Sequence, residues 1–233
     1  MSEPLPNPGA ETTATTTSWR LIAALGGVAL LCGVLIVTAF QSTLDPIAKN
    51  RRIALERSIF SLIPEGVSLH IYAVSAQGTT LLRPGQAMPK EAQRVYAVYD
   101  AHRHLRGLVA EAGAVGYADV VRVLYAYDPH QQAIVGFAVG AHRETPGIGD
   151  KIRTDADFQK NFVALDARLD ASGQALAHPI RTVKHGSKRN PWEIDAISGA
   201  TITSRAVGRG INDSASTLLP RLHPHLNNLE SPP

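Results

Sequence analysis

The chain has 233 residues, room for one ordinary globular domain with accessories, and 44% of them are hydrophobic. Its 23 Lys+Arg against 20 Asp+Glu leave a formal charge of only +3; with no Lys/Arg run and 6% aromatic residues, nucleic acid is not an expected partner. One cysteine, Cys32, rules out an intrachain disulfide and a Cys cluster for zinc or iron–sulfur, so any redox chemistry needs an organic cofactor or a partner.

Residues 1–18 are polar and rich in Pro and Thr, the composition of a disordered leader. Leu21 to Phe40 carries no charged side chain. Twenty residues at roughly 1.5 Å each reach about 30 Å, the thickness of a bilayer core. Trp19 and Arg20 stand at its edge, where an amphipathic ring and a snorkelling cation are expected, so residues 19–40 read as a transmembrane helix. The alternative is a signal peptide cleaved after Ala39, for which both the leader and the apolar stretch are long. Lys49, Arg51, Arg52 and Arg57 follow the span, and a simple positive-inside count would leave the next domain in the cytoplasm. That rule is weakest for large domains, which cross largely regardless of charge.

Residues 41–66 read as a juxtamembrane helix or linker. Ile47, Leu55, Ile59, Leu62 and Ile63 fall near helical spacing, Pro46 suits a first turn, and Pro64-Glu65-Gly66 ends it. Residues 67–220 read as one α+β domain, a mostly antiparallel sheet with flanking helices. Its strands are expected at Ser68–Val74, Arg94–Tyr99, Leu105–Ala110, Asp119–Tyr127 and Ala133–Gly140. A loop over Arg143–Asp150 precedes a short helix near Asp155–Val163. A longer helix follows Ser198, with Ile202, Ala206, Val207 and Ile211 on one stripe and Pro220 as its stop. The tail, residues 221–233, reads as irregular.

Two short segments carry candidate chemistry. In Asp195-Ala196-Ile197-Ser198-Gly199-Ala200-Thr201-Ile202-Thr203-Ser204, Ser198 suits an N-cap, and Gly199 and Ala200 bring almost no bulk to a helix start. Free amides and the positive end of the helix dipole there favour a phosphate, which a hydroxyl such as that of Thr201 could contact or be esterified by. Taken alone, so short a stretch is more simply an ordinary capped helix. In Glu144-Thr145-Pro146-Gly147-Ile148-Gly149-Asp150-Lys151, two glycines and a proline set a tight turn, with carboxylates and a lysine beside it. Taken alone, this is a surface loop.

Together the two resemble the FMN-binding domain of the Rnf/Nqr class of respiratory complexes. Asp195, Ser198, Gly199, Ala200, Thr201, Thr203 and Ser204 match that family's attachment pattern without a gap, and the Glu144–Lys151 loop is complete. The Asp150-Lys151 ending is more similar to the G subunit of Rnf than to the C subunit of the sodium-translocating quinone reductase; that subunit, or another flavinylated membrane electron carrier, is the alternative. The resemblance implies FMN held as a phosphoester on Thr201 by a separate flavin transferase. Ser198, Gly199, Ala200, Thr203, Glu144, Thr145, Gly147 and Lys151 are then expected around the cofactor. Thr201 is an anchor and not a catalyst. The resemblance further implies a single-pass protein of a bacterial inner membrane with its flavin domain on the periplasmic side. It would be one subunit of an ion-translocating oxidoreductase, relaying electrons between neighbours in ferredoxin/NAD-linked transfer coupled to cation movement. No metal site is expected: His102/His104 and His223/His225 lack a third ligand and read as solvated.

Overall fold

The computed structural model describes residues 14–83, 85–140, 144–145 and 147–230, so most of the leader, Arg143 and Pro146 lie outside the described residues. The chain divides into two compact units, Met1–Ile53 and Ala54–Pro233.

The described part of the first unit is entirely the helix α1 (Ala14–Leu62). Its apolar side chains from Trp19 to Phe40 are exposed among the described residues, Leu25 at 74% and Leu30 at 70%. With a mean hydropathy of 2.6 over its most apolar window, this helix is long and apolar enough to cross a bilayer. Two expectations change. The helix starts at Ala14, inside the stretch read as a leader, and it does not restart at Pro46 but passes through it. A proline there removes only the amide that would reach the Ser42 carbonyl. The neighbouring Ser42 and Thr43 hydroxyls bond back to the Ala39 carbonyl at 3.0 and 2.9 Å, tying down that turn.

The second unit begins with the last turns of α1. Its sheet has β1 (Ser68–Ser75), β2 (Gly78–Leu81), β3 (Gln93–Tyr99), β4 (Leu105–Val115), β5 (Val120–Asp128), β6 (Ala133–Val139) and β7 (Leu165–Asp166). The strand order is β2-β1-β3-β4-β5-β6-β7, antiparallel at each pairing. Successive side chains of a strand point to opposite faces. Along β3, Val95, Ala97 and Tyr99 join one hydrophobic cluster while Tyr96 and Val98 join another. Both faces are therefore covered, which explains why the strands read as continuous apolar runs and not as alternation. One cover is the end of α1, through Ile59, with Ile63 just after it. These residues, read from sequence as part of a juxtamembrane helix or linker, are core.

The other cover is largely α3 (Thr201–Leu222), preceded by the short α2 (Ala156–Lys160) and a two-stranded parallel pair, β8 (Arg181–Val183) with β9 (Glu193–Asp195). Val207, Ile211, Ala215, Leu218, Leu219 and Leu222 make one buried stripe on α3. Full burial of each large side chain contributes roughly 1.5–3 kcal/mol. The helix lies so close to β4 that a Cβ on Gly210 would sit 3.0–3.2 Å from the backbone of Gly113. Arg209 and Ser214 also donate to the carbonyls of Val115 (3.0 Å) and Glu111 (3.1 Å) on β4.

The chain's end corrects the sequence reading. Pro220 does not stop α3, because the carbonyl it leaves without a partner belongs to exposed Ser216 and can meet water. Nor is the tail irregular: a 3-10 turn (His223–His225) leads into α4 (Leu226–Glu230), where Leu229 is fully buried and its carbonyl accepts from Tyr99 at 2.8 Å.

Candidate functional site

The segment before α3 is held from below by buried polar groups. On β9, the Glu193 carboxylate accepts the Arg189 amide (2.8 Å), the Asn190 amide (3.0 Å) and the Arg181 guanidinium (2.6 Å). These donors, the Arg189 amide first, hold its carboxyl down to about 2. Buried Asn161 pairs with the backbone of Asp195, accepting from its amide at 2.9 Å and donating to its carbonyl at 3.2 Å. The Asp195 side chain accepts from the Gly186 amide at 2.9 Å, so the motif's first residue buttresses the loop.

From Ile197 the backbone turns sharply. The Ala200 amide reaches the Ile197 carbonyl at 3.1 Å, and Gly199, third in that turn, has φ +83°, a conformation that suits glycine. The turn makes Ala200 the N-cap, with no side-chain capping bond. Ser198 is therefore not the cap; it lies two residues earlier, exposed. The Ser204 hydroxyl ties the turn instead, accepting from Ile197 N–H (3.1 Å) and donating to the Ala200 carbonyl (2.9 Å). Thr201 is the first residue of α3 and half-buried, and the exposed Ser198 and Gly199 leave the approach to it open. Among the described residues, the first amides of a 22-residue helix thus meet this approach with no side-chain capping bond.

The second motif arrives from the far side. Glu144 is 5% exposed, yet its carboxylate has many donors. Thr203 Oγ1 donates to it at 2.5 Å, the Ala118 amide at 3.1 Å, the Tyr117 amide at 3.3 Å and the Asp119 amide at 3.5 Å. Burial alone would raise its pKa; the Thr203 hydroxyl and these amides outweigh burial and hold the carboxyl below its usual range. Two glycines make room. A Cβ on Gly116 would fall 2.5 Å from Glu144 Oε1, and one on Gly149 would fall 2.8 Å from Oε2 and 3.2 Å from Thr203 Oγ1. Thr145 carries the turn, its carbonyl accepting from the Gly149 amide at 2.9 Å, and Gly147 has φ +76°.

The structure thus separates the expected residues into two groups. Glu144 and Thr203 face each other and are buried. Ser198, Gly199, Thr145, Gly147 and Lys151 are exposed, Thr201 is half-buried, and Ala200 is buried under the turn. Lys151 and Ser198 line one cavity of about 210 Å³ together with Asp155, Asp157, His185 and Asp195. His185 was not apparent as a site residue in the sequence; its Nδ1 lies 2.9 Å from the Ala196 carbonyl, which leaves Nε2 as the other ring nitrogen. Ile148 and Ile202, next in sequence to Gly149 and Thr203, are 51% and 53% exposed, unusual for isoleucines beside a buried carboxylate. A larger cavity, about 720 Å³, is lined by Glu65, Arg106, His130 and Glu230 near the start of β4, the end away from Val115 and this site. Among the described residues, no group of three His, Cys, Asp or Glu side chains is placed to hold a metal.

Known proteins resemble this chain in sequence and in fold. The FMN-binding domain family matches residues 116–216, from the glycine under Glu144 to the middle of α3. The G subunit of the ion-translocating oxidoreductase complex of Pseudomonas aeruginosa is 29% identical over 85% of this chain and 88% of its own. The same subunit of Shewanella oneidensis is 27% identical over 78% and 81%. That of Methanosarcina acetivorans reaches 35% over 48% and 51%. The fold is that of two solved structures. One is the C subunit of the Na(+)-translocating NADH-quinone reductase from Parabacteroides distasonis (TM-score 0.57, 20% identity, 82% of this chain and 98% of that one). The other is NqrC of Shewanella oneidensis (TM-score 0.54, 24% identity, 74% and 87%).

Proposed function

We propose that this chain, a homologue of the G subunit of ion-translocating oxidoreductase complexes with an FMN-binding domain, carries FMN as a phosphoester on Thr201 and relays electrons between neighbouring subunits of such a complex. The observation that supports the attachment point is the uncapped start of α3, with Thr201 as its first residue behind an exposed Ser198-Gly199. A phosphodiester keeps one negative charge, which suits the amides and dipole of a helix N-terminus. Lys151 and Arg205, both exposed near this end, are the cations that would offset the rest.

Attachment needs a flavin transferase and FAD. The Thr201 Oγ bonds to the phosphorus on the FMN side, the pyrophosphate link breaks, AMP departs, and the hydroxyl proton passes to solvent. Once bound, FMN supplies the redox chemistry, and the protein sets its position and surroundings. Ser198, Gly199 and Ala200 keep the phosphate approach clear, Thr145 and Gly147 shape the facing turn, and Ile148 and Ile202 offer apolar faces to the ring. Glu144 and Thr203, buried against one another, hold the floor of the site.

The anchor would be α1, in a bacterial inner membrane with the flavin domain on the periplasmic side. The electrons would move between ferredoxin- and NAD-linked partners in transfer coupled to cation movement. A topology reporter fused after Pro233 tests the side. For the flavin, the chain co-expressed with a competent transferase and run denatured in a gel should fluoresce under ultraviolet light. Thr201→Val should be dark. A dark wild-type band under those conditions overturns the reading.

A further inference from the structure

Three hydroxyls lie within four residues at the start of α3, and the fold treats them differently. Ser204 is fully buried and bonded to Ile197 N–H and the Ala200 carbonyl. Thr203 is 2% exposed and donates to Glu144. Only Thr201, among these, is left half-open, and among the described residues its hydroxyl has no hydrogen-bond partner. The element responsible for the second of these assignments arrives from 59 positions earlier in the sequence. A buried carboxylate is costly unless every oxygen is satisfied, so Glu144 is retained at a place where an apolar residue would fill space more cheaply. Gly116 and Gly149 are both spent on giving it room.

We propose that Glu144 is a positioning residue for flavin attachment: bonded to Thr203 on one side and to the amides of residues 117–119 on the other, it locks the first turn of α3 against the β4–β5 turn, so that Thr201 alone presents its hydroxyl. The proposal rests on Thr201 being the acceptor. Glu144 acts through Thr203, which stands two residues from the reacting oxygen on the same helical turn. Without the clasp, the first turn frays, as uncapped helix ends do, and the Thr201 oxygen samples orientations away from in-line attack. Misplacement of a reacting atom by about 1 Å lowers a rate by up to roughly 100-fold.

The test uses the full chain in detergent, expressed without a flavin transferase and then supplied with purified transferase, FAD and Mg²⁺. Glu144→Gln keeps the shape but turns an NH₂ group toward backbone donors. Thr203→Val removes the hydroxyl at constant shape, and Thr203→Ser keeps it. The expected result is a fall in kcat for attachment of roughly 10- to 100-fold in Glu144→Gln and Thr203→Val, with KM for the acceptor chain little changed and Thr203→Ser near wild type. Wild-type kcat in both impaired variants overturns the proposal, as does a loss carried by KM alone, which would make Glu144 part of a docking surface. Thr203→Ser as slow as Thr203→Val overturns it too. If Glu144→Gln fails to fold, the two Thr203 variants decide. A wild-type chain that accepts no flavin sinks the acceptor reading and this proposal together, whereas a flavinylated wild type with equally active variants sinks the proposal only.

Discussion

Replacing Thr203 by valine removes one oxygen from the interior and leaves the volume unchanged. In the structure that oxygen donates to a carboxylate that is 5% exposed and already takes three amide donors. A hydrogen bond to a charged group is worth about 1.5–3 kcal/mol, and no cavity term is added because Val and Thr are isosteric. For a domain of this size each kcal/mol moves Tm by about 2–4 °C, so Thr203→Val should melt roughly 3–12 °C lower near neutral pH. The sign of the pH dependence follows from Glu144. Its folded pKa is lowered, so its contribution is present above the ordinary glutamate range and disappears as pH falls through the folded value. The gap between wild type and Thr203→Val should therefore be widest near neutral pH and narrow as pH falls below the ordinary glutamate range. Thermal melts followed by near-ultraviolet circular dichroism, with the buried tyrosines of the sheet as reporters, measure it. A variant as stable as wild type at neutral pH, or a gap that does not change with pH, would refute the idea that an ionised Glu144 holds the start of α3.

Other outcomes follow from the same structure. Leu229→Ala should cost about 2–5 kcal/mol, read as a lower urea midpoint, because the side chain is fully buried at the very end of the fold. Glu193→Gln should be less stable than wild type at neutral pH. The two should converge in an acid titration only as pH drops through about 2, where the donors from Arg189, Arg181 and Asn190 hold the Glu193 carboxyl.

Most of the sheet was readable because its strands are Val-, Tyr- and Ala-rich runs, and these are the five strands expected at β1, β3, β4, β5 and β6. The short β2, β7, β8 and β9 were not, since two to four residues carry too little pattern to stand out from loops. Prolines misled at both ends. Pro46 and Pro220 each sit inside a helix whose flanking residues are fixed by other contacts, and a local rule about proline does not see those contacts. Beyond Pro220, Leu222, Leu226 and Leu229 repeat at helical spacing, a signal interrupted for the eye by Pro224 and two histidines. At the site, the motif residues were legible as a set, but their division of labour was not. That Thr203 turns inward and Thr201 stays at the surface depends on Glu144 and Gly116, which lie far away in sequence: Glu144 bonds Thr203 directly and is held in place by the β4–β5 turn. Ser198 had the right chemistry for a cap, but the glycine after it turns the chain and moves the cap to Ala200.

The attachment of FMN is tested most directly by mass spectrometry of the chain extracted from its native membranes. The peptide containing Ser198–Ser204 should carry the mass of FMN less one water, with fragment ions placing the adduct on Thr201. The same peptide at its plain mass, or an adduct on Thr203 or Ser204, would contradict a structure in which those two hydroxyls are already committed inside the fold.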